Sequence, residues 1–104
     1  MTNLESIKAD ILENWNIRND TLLKRLTERG LDPNSVYTIE NSKLVNLAFA
    51  DLLMIMANNP NVSEGRYSQN WPSPKELKDS ASVIYSKYGV ANPLASTARF
   101  ISNG

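Results

Sequence analysis

Residues 44–57, Leu-Val-Asn-Leu-Ala-Phe-Ala-Asp-Leu-Leu-Met-Ile-Met-Ala, form the longest apolar run of the chain and limit most strongly what it can fold into. At 100° per residue, Leu44, Ile55, Ala48, Leu52, Val45, Met56, Phe49 and Leu53 fill roughly half the circumference of a helix. The other half carries Lys43, Asn46, Asn58 and Asp51, but also Leu47, Ala50, Met54 and Ala57. A helix this apolar needs neighbours on at least two sides. It is too short for a bilayer, which takes about 20 apolar residues, and Asn46 and Asp51 interrupt it. The expectation is a buried helix in a bundle, with no membrane partner. Asn58-Asn59-Pro60 ends it, because a residue before proline is pushed out of the α region.

The flanking segments supply the neighbours. Thr2 or Asn3 caps a first helix, on which Leu4, Ile7, Ile11, Leu12 and Trp15 share one face. A short second helix starts at Asn19 or Asp20, runs through Leu22, Leu23 and Leu26 to Arg29, and stops at Gly30. Asp32-Pro33 reads as a turn or as the cap of a single helical turn. Residues 36–39, Val-Tyr-Thr-Ile, have strand composition but no evident pairing partner and are expected to be a connector. A long loop, residues 60–73, follows the apolar helix; loops of such length are uncommon in compact domains and are often functional. Ser73, Pro74 and Glu76 then form a capping box that opens a last helix, with Leu77, Ala81, Ile84, Tyr85 and Tyr88 buried and Gly89 at its end. The fold class is therefore all-α: a four-helix domain over residues 1–89, with a C-terminal arm over residues 90–104.

Composition removes most chemistry. The chain of 104 residues has no Cys and no His, so disulfides, thiol catalysis, Cys/His zinc sites and imidazole-based triads are excluded. Its four glycines are isolated, which leaves no phosphate-cradling loop. The expectation is a protein that is not an enzyme and uses no cofactor or metal. Lys and Arg together number 11, as do Asp and Glu, and the zero net charge argues against a chain that works by coating nucleic acid. The first ten residues carry Glu5, Lys8 and Asp10 and lack the apolar run of a signal peptide, which suggests synthesis in a reducing cytoplasm.

Asp51 is the most interesting charged residue, since it sits at the border of the apolar arc. It is either a general base or ligand, or a structural carboxylate paired with Arg66, Tyr67 or backbone amides of the following loop. A buried charge must be paired, and the loop follows at once, so the expectation is a partly buried Asp51 accepting hydrogen bonds from residues 60–70. Charge is also split along the chain. Residues 1–16 carry net −2 and residues 17–30 net +2. The basic group, chiefly Lys24, Arg25 and Arg29, is either a plain solvated surface or a patch that meets the acidic first helix of another copy. In the arm, Leu94, Arg99, Phe100 and Ile101 either dock on a partner or fold back as a short helix.

Three strings carry a family resemblance: Asn46-Leu-Ala-Phe-Ala-Asp-Leu-Leu53, Val62-Ser-Glu-Gly-Arg-Tyr-Ser68 and Ile84-Tyr-Ser-Lys-Tyr-Gly89. In this order they resemble the small helical head–tail connector (neck adaptor) proteins of tailed phages and prophages. The shared pattern is an Ala-rich helix with an internal Asp, here Asp51, then a loop with Ser63, Glu64, Gly65 and Tyr67, then a helix closing on Tyr-x-Lys-Tyr-Gly. It covers residues 38–89, and the arm has no counterpart in it. The resemblance implies a structural virion protein made in a bacterial host. Copies would form a ring between the portal and the tail or stopper proteins, with DNA only passing through the lumen. A small cytoplasmic helical protein-binding module or regulator is the alternative.

Overall fold

The computed structural model describes residues 1–11, 15, 17–58 and 71–90. Four α-helices account for most of them: α1 (Asn3–Ala9), α2 (Asn19–Glu28), α3 (Ser42–Ala57) and α4 (Pro74–Lys87), with a 3-10 turn at Ile39–Asn41 leading into α3. The all-α expectation holds. Of the expected loop, residues 60–70 lie outside the described residues, and so do residues 91–104 of the arm.

Helix α3 is the centre of the core. It packs most extensively on α4, then on α2 and α1. Val45, Ala48, Leu52, Leu53 and Met56 are buried, and so are Leu47, Ala50 and Met54 from the opposite arc. Neighbours on several sides explain why the run tolerates so few polar positions. Around it pack Ile7 of α1, Leu22 and Leu26 of α2, and Leu77, Ala81 and Tyr85 of α4.

Local chemistry sets the ends of the helices. Thr2 caps α1 through a capping box with Glu5, in which the Glu5 N–H donates to Oγ1 of Thr2 at 3.1 Å and the Thr2 N–H donates to the Glu5 carboxylate at 2.7 Å. Those bonds hold the Glu5 carboxyl below its ordinary pKa, the Thr2 N–H first among the causes. Ser73 and Glu76 repeat the arrangement at α4, with Pro74 at the first position. Both α2 and α4 close in Schellman motifs. The Gly30 and Leu31 N–H groups donate to the carbonyls of Thr27 and Leu26, and those of Gly89 and Val90 donate to Ser86 and Tyr85. Val90, assigned to the arm by its sequence, thus completes the α4 cap.

Three expectations need correction. Helix α1 ends at Ala9, where the Asp10 and Ile11 N–H groups bond to the carbonyls three residues back, so the apolar spacing through Trp15 overstates the helix. Its Trp15 is nonetheless buried, and its carbonyl accepts from Nε1 of Trp71 at 2.8 Å, which ties the start of α4 to the α1–α2 connection. Helix α2 has Arg18 as its N-cap, without a side-chain cap bond, and Asn19 is its first residue. Residues 36–39 are a connector as expected, but Val36 does find a partner, in an isolated antiparallel bridge with Thr2. Asn3 secures that join from inside. Its side chain is buried and donates to the Asp32 carbonyl at 2.9 Å. Asp32-Pro33 is a turn, with Oδ1 of Asp32 accepting from the Asn34 N–H at 2.9 Å.

Gly30 (φ 79) and Gly89 (φ 65) occupy the left-handed region, and a Cβ at either position would meet no atom within 4 Å. The cost of a side chain there is backbone strain alone, about 1 kcal/mol. Gly30→Ala and Gly89→Ala should each destabilise the fold by about that amount in urea unfolding, and Asn at either site by less.

Candidate functional site

Four polar side chains converge where α2, α3 and α4 meet. On α2, Leu22, Arg25, Leu26 and Arg29 follow the i, i+3, i+4, i+7 spacing of one face, so two arginines lie on the stripe that the leucines bury. Arg29, at the C-cap, reaches Asp51 of α3 with two parallel bonds, Nε to Oδ2 at 2.7 Å and Nη2 to Oδ1 at 2.8 Å. Tyr85 of α4 donates its hydroxyl to the same Oδ1. The Arg29 and Asp51 side chains keep 19% and 16% of their exposure, which puts the pair mostly out of solvent. One carboxylate thereby joins three helices.

Electrostatics keep this arrangement in one protonation state. The bonds that Arg29 donates to Asp51 raise its guanidinium above the ordinary value, against the opposing effect of burial. Burial first, and the bond to Asp51 second, push the Tyr85 phenol well above its usual range. Arg29 is therefore cationic and Tyr85 a neutral donor throughout the physiological range. Both Asp51 oxygens are engaged, and the carboxylate works as a structural acceptor in this geometry.

Beside the triad lies a cavity of about 320 Å³. Arg25 forms part of its wall, with a side chain only 8% exposed and Nη2 3.4 Å from a half-exposed Glu28. Among the described residues the Arg25 Nε is buried without a hydrogen-bond partner. Met54 and Ile55 give the cavity an apolar side. Among the described residues, no group of three or more His, Cys, Asp or Glu could hold a metal ion, and no described helix is long and apolar enough to cross a membrane.

The residues singled out from sequence separate cleanly. Asp51 is partly buried as expected; its partners among the described residues are Arg29 and Tyr85, while the loop expected to serve it lies outside them. Ser63, Glu64, Gly65 and Tyr67 lie outside the described residues, as do Leu94, Arg99, Phe100 and Ile101. Of the proposed basic patch only Lys24 is exposed; Arg25 is buried and Arg29 turns inward to Asp51. The patch is corrected accordingly: Arg29 pairs with Asp51, Arg25 with Glu28 and exposed Arg18 with Asp20, which leaves Lys24 as the exposed base of the expected patch. Sequence reasoning missed Arg29 and Tyr85 as partners of Asp51. The signal for Arg25 and Arg29 was their spacing from Leu22.

A family described as a family of unknown function (DUF6706) matches residues 1–104. The chain belongs to this family. No curated protein and no solved structure matches the chain. One further contact gives the site its relation to the sequence strings. Nδ2 of Asn46 and the Tyr88 hydroxyl bond at 2.6 Å, so the α3 and α4 strings meet twice, at Asp51–Tyr85 and at Asn46–Tyr88.

Removing Asp51 strands a mostly buried guanidinium. Asp51→Ala should cost about 2–4 kcal/mol in chemical denaturation. The double variant R29M/D51L should lose less than D51A alone, because no unpaired charge remains. The raised Tyr85 pKa makes stability depend on alkaline pH. The folded state holds its proton more tightly, so the stabilisation is complete below the ordinary phenol value of 10.0 and declines as pH rises above it. Tyr85→Phe should lower stability at neutral pH by about 1–3 kcal/mol and flatten that decline.

Proposed function

We propose that the chain is a non-enzymatic structural subunit, a head–tail connector or adaptor of tailed phages or prophages, whose copies assemble as a ring between the portal and the tail or stopper proteins. The observation that carries this reading is the interlock of two of the three resemblance strings. Asp51 and Asn46 of the first bond to Tyr85 and Tyr88 of the third, which supports treating the strings as the signature of one fold instead of a chance coincidence of short motifs. The second string, residues 62–68, lies outside the described residues.

Surface character adds support of a second kind. Met1, Val36 and Ile39 are exposed by 68%, 68% and 81%. Met1 and Val36 stand beside each other, because the Tyr37 N–H donates to the Met1 carbonyl and Thr2 bridges to Val36. Exposed apolar side chains of this sort fit a small domain that completes its burial on a neighbour. A ring requires one patch to meet a different patch on the next copy. With Arg25 and Arg29 turned inward, that meeting is better served by apolar surface than by charge.

Mixing the purified chain with the portal protein encoded in the same genome, followed by electron microscopy, tests the reading. A ring of added density on one face of the portal is the expected result. Portal particles unchanged by an excess of the folded chain would refute it. Val36→Asp with Ile39→Asp should leave the monomer folded, as substitutions at such exposed positions usually change stability by about 0.5 kcal/mol or less, and should abolish the added density.

A further inference from the structure

Among the described residues, Arg25 is the guanidinium whose burial is not matched by hydrogen bonding. Its side chain keeps 8% of its exposure, and its ion-pair partner, Glu28, stands 3.4 Å from Nη2 and is itself 51% exposed. Its Nε is sealed from solvent without an acceptor. Buried charges are ordinarily paired and hydrogen-bonded, so a site of this kind is short of an acceptor. One turn further along the same helix face, Arg29 has the acceptor that Arg25 lacks, in two parallel bonds to Asp51.

The cavity of about 320 Å³ that Arg25 helps to line is large enough to hold one, standing at the lower end of small-ligand sites. The Nε itself has no open surface, so an acceptor reaches it only when the guanidinium and Glu28 shift. Among its described lining residues, Arg25 and Arg29 bring two positive charges, Glu28 and Asp51 two negative ones. That described wall, balanced in charge and with one under-used guanidinium, suits a single added negative charge. A phosphate dianion would face repulsion from both carboxylates, whereas a planar carboxylate matches the guanidinium fork. Met54 and Ile55 offer apolar surface to whatever carries that carboxylate.

We propose that the cavity between α2, α3 and α4 binds a carboxylate on a short aliphatic stem. Arg25 is its receptor, Glu28 gives way toward solvent, and Met54 and Ile55 line the stem. The ligand class covers a free short-chain acid and a glutamate side chain of a protein partner, which present the same group to Arg25. The site goes beyond the connector reading and does not depend on it, since it requires nothing but this pocket.

Arginine Nε–H resonances of the isotope-labelled full-length chain report on the site directly. The chain would be titrated with sodium butanoate and, in a second arm, with a capped Gly-Glu-Gly peptide, at constant ionic strength. A saturable shift of the Arg25 signal is expected, with butanamide and sodium phosphate moving it roughly a tenth as far or less. Glu28→Gln removes the competing carboxylate and should tighten binding about threefold; Arg25→Lys should weaken it about tenfold. Tighter binding of butanoate than of the peptide assigns the site to free acids, and the reverse assigns it to a partner's glutamate. If Arg25→Lys does not fold, Glu28→Gln, altered at a half-exposed position, decides. The absence of a saturable shift with either ligand, in both the wild-type chain and Glu28→Gln, overturns the proposal. An equal response to phosphate overturns it as well.

Discussion

A carboxylate in the middle of the most apolar helix would cost more than the fold could sustain if it were left alone. Asp51 is not alone: it takes two bonds from Arg29 and one from Tyr85. Each partner comes from a different helix, so the three bonds fix the rotation of α2 and the height of α4 relative to α3. A purely apolar interface of the same area would hold these helices together, but it would accept several registers, because hydrophobic contact is non-directional. The bidentate geometry accepts one. The leucines and methionines around it supply most of the stabilisation, and the triad decides which packing they stabilise.

The same geometry explains why the charge pattern of the linear sequence misleads. Residues 17–30 carry more base than acid, yet Arg29 is consumed by Asp51 and Arg25 is folded under α2. What solvent sees of this segment is nearly balanced, with Arg18 beside Asp20, both about four-fifths exposed, and Lys24 as a further exposed base. Exposed pairs like this contribute little to stability and give no directional field to steer a partner. The two proposals for recognition therefore rest on other features: the exposed apolar side chains Met1, Val36 and Ile39, and the cavity at Arg25. The connector reading draws on the first and leaves the second unused.

Several elements were fully legible as sequence. Ser73 with Glu76 is a capping box whose partners are three residues apart, and Gly30 and Gly89 end helices through bonds that reach back only a few residues; Thr2 was one of two candidate caps, and its box with Glu5 emerged from the structure. The burial of α3 on several sides followed from its composition around the whole circumference. Other features were only half legible. The spacing of Leu4, Ile7, Ile11 and Trp15 marks them correctly as inward-facing, since all are buried or half-buried. It did not reveal that α1 stops at Ala9, because apolar spacing reports a buried side and carries no information on where backbone hydrogen bonding changes.

What the sequence determined by itself is everything settled within one or two helical turns: the four helices, most of their caps, and the inward faces of α3 and α4. What only the tertiary structure decided is which charges turn inward and whom they meet. Arg29 and Asp51 are 22 residues apart, and Asp51 and Tyr85 are 34 apart. An arginine on a helix face can lie in solvent or point into the core, and its spacing from Leu22 makes the second possible without requiring it. The choice belongs to Asp51, because an acceptor already committed to the interior makes a buried guanidinium less costly than two separated charges. That acceptor comes into range only when α2, α3 and α4 are packed together.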